Sequence, residues 1–136
     1  MITSCVYLDL FELKYLNLEG RMWIAMAYHE FGIMEYSPKK YQRFDEYEPE
    51  KFELVKINDD FIEPLLQSFD GIRCYWHTLE CPEINLAYCG ITLIPPKSIN
   101  TFIFVFSKYD KEPYNKIIEL FKEAKIRGKY IIHYGI

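Results

Sequence analysis

Apolar and polar positions alternate from the start of the chain. Val6, Leu8 and Leu10 alternate with Tyr7, Asp9 and Phe11, the period of a strand with one buried face. Residues 17–20 read as a turn. Residues 21–31 then fit two elements. As a helix they would end at Gly32, which can take the left-handed cap conformation. As a strand they would pair back on the first in a hairpin. Met22, Ile24 and Met26 set against Trp23, Ala25 and Ala27 give no deciding period, so the pattern leaves both open.

Pro38 and Pro49 bracket a polar, tyrosine-rich loop, and Phe52, Leu54 and Ile57 predict a short strand after it. Asn58 is placed to cap a helix over residues 59–69, with Asp59 and Asp60 in the first turn that the dipole favours. Pro64 falls one turn in and removes a hydrogen bond there. Asp70 and Gly71 close that element. Strands are expected over 72–79, 84–94 and 101–106, the last two joined by a loop stiffened by Pro95 and Pro96. The clearest helix follows. Tyr114, Ile117, Ile118 and Phe121 recur at i, i+3, i+4 and i+7, and Ala124 continues the stripe. Pro113 opens this helix, Gly128 ends it, and Lys122, Lys125 and Arg127 crowd its last turns. Residues 130–136 predict a final buried strand. The sum is a single α+β domain over residues 1–136, with a mainly antiparallel sheet covered by two or three helices.

Composition supports a packed core. A chain of 136 residues buries about two-thirds of the surface that it exposes when unfolded. Aromatic residues make up 18 % of the chain, far too many for a disordered tail. Its 12 tyrosines exceed what a core absorbs easily, because each buried hydroxyl wants a partner. Several are therefore expected at the surface, where tyrosine favours interfaces. The apolar runs at 22–28 and 101–106 fall well short of the ~20 residues that a spanning helix needs. No positive stretch opens the chain, and Asp9 and Glu12 interrupt any signal core. A cytoplasmic location is the expectation, with Cys5, Cys74, Cys81 and Cys89 reduced.

Charge is distributed unevenly. Residues 44–63 hold eight acidic side chains and two lysines, a local charge of −6, whereas the whole chain carries −4 and so the remainder sums to +2. The acidic total argues against direct nucleic-acid binding, which relies on lysine and arginine at phosphates. Asp59 and Asp60 are accounted for by the helix start. The sharper feature is the loop carrying Tyr41, Phe44, Asp45, Glu46, Tyr47, Glu48 and Glu50, where aromatic area and negative charge coincide. These seven residues are the candidate partner-binding site.

Catalytic signals are sparse. Cys74, His77, Cys81 and Cys89 are the residue types that zinc accepts. Along a strand, however, Cys74 and His77 would point to opposite faces, so these cysteines read as small hydrophobes and no metal is expected. His29, His77 and His133 could supply acid–base chemistry. The chain has no GxSxG, HExxH or phosphate-cradling glycine loop, and His133 inside an apolar strand reads as a satisfied core residue. The expectation is a protein without enzymatic activity or cofactor. The alternative is a small metal-binding or hydrolytic enzyme built on the Cys74–Cys89 region. A third reading is a homodimer formed through the surplus tyrosines.

The stretch GITLIPPKS at residues 90–98, the amphipathic helix after it and KYIIHYGI at 129–136 resemble small bacterial immunity proteins. Those are encoded beside toxins of contact-dependent growth inhibition and other polymorphic toxin systems. The resemblance covers about residues 60–136 and has no signature motif. It implies a non-enzymatic protein that binds one cognate toxin domain and blocks its active site. Such toxins are commonly nucleases with clefts lined by lysine and arginine, to which an acidic aromatic loop is complementary. The matching segments themselves are apolar enough to be scaffold and are assigned no binding role.

Overall fold

The computed structural model describes residues 27–136; the strand expected near the start of the chain, and residues 21–26, lie outside the described residues. Among the described residues, six strands follow one another as β1 (Tyr28–Ile33), β2 (Leu54–Asn58), β3 (Arg73–Trp76), β4 (Pro82–Ile84), β5 (Ile91–Ile94) and β6 (Ile131–Tyr134). They form one sheet in the order β2-β1-β6-β5-β3-β4, antiparallel at every pairing. Helices α1 (Pro96–Ser107) and α2 (Glu112–Arg127) lie between β5 and β6 in the chain. This is the α+β fold that the hydrophobic pattern predicts.

The pleat sorts side chains onto two faces. Phe31, Ile57, Cys74, Ile94 and Ile131 meet Ile99, Phe102, Phe106, Ile117 and Phe121 of the helices in the main core. Phe69, Phe102, Phe106 and Phe121 pack as an aromatic cluster with ring centroids 4.9–5.7 Å apart. Each such side chain contributes about 1.5–3 kcal/mol by leaving water. A smaller core forms on the opposite face from Met34, Ile91, Leu93, Ile132 and Tyr134, with Phe44, Phe52 and Leu54 packed against it. The segment between β1 and β2 therefore covers the face that the helices leave open.

Several expectations hold. β6 is buried at all four positions and lies inside the sheet. α2 ends at Gly128, whose φ of 66° is the left-handed cap, and its N–H reaches the Ala124 and Lys125 carbonyls. Residues 28–31 take the strand option, and Gly32 lies inside β1 opposite Leu54 and Ile132 and is not a helix cap.

Three expectations change. Residues 101–106 are not a strand but part of α1, and the expected loop over 95–100 is instead the helix start, with Pro95 as its N-cap and residues 96–100 helical. Pro96 occupies its first turn, where a missing N–H costs nothing. Residues 84–94 are not one strand. Asn85, at φ 73°, breaks the run between β4 and β5, and its side-chain amide donates to the Leu66 carbonyl. The helix over 59–69 is reduced to 3-10 turns at Asp59–Phe61 and Glu63–Leu65. Asn58 does cap the first, its Oδ1 accepting from Asp60 N–H at 2.8 Å. Pro64 enters the first turn of the second, a position that restarts a helix and does not continue one. Among the described residues no helix is long and apolar enough to cross a membrane.

Candidate functional site

The register places Lys56, Glu30, Tyr134 and Ile91 side by side across four strands of the open face. The acidic loop crosses above this row. Its anchor is Phe44, which is half-buried in the smaller core. The Phe44 N–H donates to the His77 carbonyl at 2.8 Å, and the Phe44 carbonyl accepts from His77 Nδ1 at 3.0 Å. Arg43 also bridges Thr78, and the Tyr41 N–H donates to Glu80 Oε1 at 2.9 Å. The loop is thus fastened to the turn after β3, where His77 itself holds a φ of 67°.

Tyr47 closes the arrangement. Its hydroxyl donates to Glu30 Oε1 at 2.5 Å, and its ring meets Tyr134 edge-on with centroids 5.0 Å apart. The carboxylate beside it pushes the Tyr47 hydroxyl up to about 12. Below lies a pocket of about 310 Å³ lined by Glu30, Asp45, Tyr47, His77, Tyr134 and Gly135, among others. At its edge, Gly135 lets the last strand approach the Tyr88 backbone, since a Cβ there would fall 2.1 Å from the Tyr88 carbonyl oxygen.

The seven predicted residues share this loop but differ in role. Tyr41 and Tyr47 are exposed, at 72 % and 58 %. Asp45, Glu46 and Glu50 are exposed as well, whereas Phe44 and Glu48 are half-buried. Two of the acids are neutralised within the chain. Arg43 donates to both Asp45 oxygens at 2.7 and 3.0 Å and, as the strongest influence, lowers the Asp45 carboxyl below its usual range. Lys51 pairs with Glu48 at 3.1 Å. Glu46 and Glu50 make no hydrogen bond or ion pair among the described residues. Net negative charge on the loop therefore rests on those two, with Glu30 beneath them. Glu30 itself was not legible as a site residue, because only strand register brings it under Tyr47.

A second polar constellation runs through the helix-side core. Thr92 stands directly across from His133, and His29 sits diagonally from His133 on the same face. The Ala87 N–H donates to Thr92 Oγ1 at 2.8 Å, and Thr92 Oγ1 lies 3.0 Å from His133 Nδ1. His133 Nε2 lies 2.9 Å from His29 Nδ1, and His29 Nε2 lies 2.8 Å from Asp59 Oδ1. The Tyr88 hydroxyl donates to Asp59 Oδ2 at 2.5 Å. One assignment satisfies every atom with both rings neutral: Thr92 O–H to His133 Nδ1, His133 Nε2–H to His29 Nδ1, and His29 Nε2–H to Asp59. Burial holds the His133 imidazole well below its ordinary value. Burial also raises the Tyr88 hydroxyl, and its hydrogen bond to Asp59 adds to this. Asp59 is thus more than a helix-start residue, a role that sequence spacing could not reveal. His133 is the satisfied core residue that its apolar strand suggested.

The Cys74–Cys89 region does not converge. Cys74 is fully buried on the helix side, where burial pushes its thiol up to about 12. His77 and Cys89 instead border the pocket on the open face. Among the described residues no group of three His, Cys, Asp or Glu is placed to hold a metal ion. Neither a protein family, nor a curated protein, nor a solved structure matches the chain.

Proposed function

We propose that this chain is a non-catalytic binding module that captures a basic protein surface on the loop over its open sheet face, and that it serves as an immunity protein. Its partner is then a cognate toxin domain, a nuclease whose substrate cleft carries the complementary lysines and arginines. The observation that supports this reading is the anchoring of the loop. Phe44 and the His77 hydrogen bonds fix its backbone, and Tyr41, Glu46, Tyr47 and Glu50 are presented outward from it. A pre-ordered loop loses little entropy on binding. Exposed tyrosines supply flat contact area, and unpaired carboxylates steer a basic partner.

The test is a Glu46→Lys, Glu50→Lys double variant, examined for protection against the toxin domain encoded beside its gene and for affinity to that purified domain. Protection is expected to fail and affinity to fall by about tenfold or more. Unchanged affinity in a folded variant would place the interface elsewhere.

A further inference from the structure

Glu30 is an under-compensated buried charge. It is 8 % exposed, and it lines the pocket of about 310 Å³ together with Tyr47, whose hydroxyl meets its carboxylate. Oε1 accepts the Tyr47 hydroxyl, while Oε2 has no hydrogen-bond partner and no cation lies within ion-pair distance among the described residues. Lys56, directly across the β1–β2 pair, turns away, with Nζ 5.7 Å from the centre of the Tyr28 ring. Arg43 is committed to Asp45. Burying a carboxylate without a full set of partners is costly, so such a group persists where something else completes it.

We propose that this pocket receives one arginine side chain of a protein partner, with its guanidinium on the Glu30 carboxylate. The inference rests on reading the loop face as the partner-binding surface, and it names the anchor of that surface. Three features favour arginine. The volume lies at the lower end of the ~300–1,000 Å³ of ligand pockets, enough for a single side chain. Tyr47 and Tyr134 provide aromatic walls on which a planar guanidinium can stack. Guanidinium is more weakly hydrated than ammonium, so entering a half-enclosed site costs it less. The Tyr47 hydroxyl holds one carboxylate oxygen in place and leaves the other to accept the incoming N–H.

The experiment titrates N-acetyl-arginine methylamide into isotopically labelled protein and follows backbone amides by NMR, with the isosteric, uncharged citrulline derivative in parallel. Saturable shifts at Glu30, Tyr47, Tyr134 and Gly135 are expected with arginine and not with citrulline. Glu30→Gln should weaken arginine binding by about tenfold or more. Equal shifts with both compounds, or none with arginine, would overturn the proposal in the native protein even if Glu30→Gln failed to fold. Arginine binding in a protein that captures no basic toxin would uphold the pocket and sink the immunity reading. Toxin capture that is indifferent to Glu30→Gln would do the opposite.

Discussion

His133 sits fully buried in an interior strand, a position that suits valine or isoleucine, and it survives there because both ring nitrogens are paired. An apolar strand containing one histidine pointed to such a residue, but its partners lie at Thr92, forty-one positions earlier, and His29, one hundred and four earlier. Only strand register could bring these three together. The pairing has a pH consequence. The folded state keeps His133 neutral, with its value depressed well below the ordinary 6.5 at which the unfolded chain takes up a proton. Below that value the unfolded state binds more protons, so the contribution of His133 is fully present above about pH 6.5 and is lost as pH falls towards the folded value. Once the unfolded chain is protonated, the loss approaches about 1.4 kcal/mol per pH unit. Urea midpoints should therefore fall on acidification, and NMR of the folded protein should show no His133 titration near 6.5. A ring that titrates there in the native state would refute the neutral assignment.

At the scale of elements, the sequence was most legible where period and punctuation agreed, as in α2 with its stripe and Gly128. It misled where the residue types suit one element and the spacing suits another. Residues 102–106 are Phe-Ile-Phe-Val-Phe, β-branched and aromatic throughout, and intrinsic preference reads them as strand. Tertiary packing decides otherwise, because Ile99, Phe102 and Phe106 at helical spacing fill the core against α2. The two readings differ at Phe104. On a strand it would share the buried face of Phe102 and Phe106, but on α1 it is 64 % exposed, with Lys108 Nζ 4.9 Å from its ring centre. Phe104→Ser should then change stability by only about 0.5 kcal/mol, whereas Phe102→Ala should cost about 3–5 kcal/mol. Comparable losses in chemical denaturation would mean that the segment is not helical. The 59–69 region was lost for a related reason: Asn58 signals a helix start correctly, and Pro64 prevents the helix from propagating.

Across the whole molecule, the two sheet faces divide the labour. Helices seal one, and the other keeps a fastened acidic loop over a half-enclosed carboxylate. The loop was legible from composition, while Glu30 was not, because alternation along β1 hides it until the register is known. Charge on the loop is also less concentrated than its four acidic residues suggest, since Arg43, just outside the −6 window of residues 44–63, neutralises Asp45, and Lys51, already counted in that total, pairs with Glu48. In the proposed capture of a basic partner, the remaining charges act at different stages. Glu46 and Glu50 are exposed, so their field reaches an approaching partner and is screened within about 10 Å at 0.1 M salt. Glu30 is buried, so it acts after contact and is screened much less. Stopped-flow association with a basic partner domain should therefore slow as salt rises, and Glu46→Lys with Glu50→Lys should flatten that dependence while changing dissociation little. Glu30→Gln should leave association near its original rate and speed dissociation by about tenfold or more. The assignment fails if Glu30→Gln instead alters only the salt-sensitive association rate, for the carboxylate would then belong to the outer field and not to the contact.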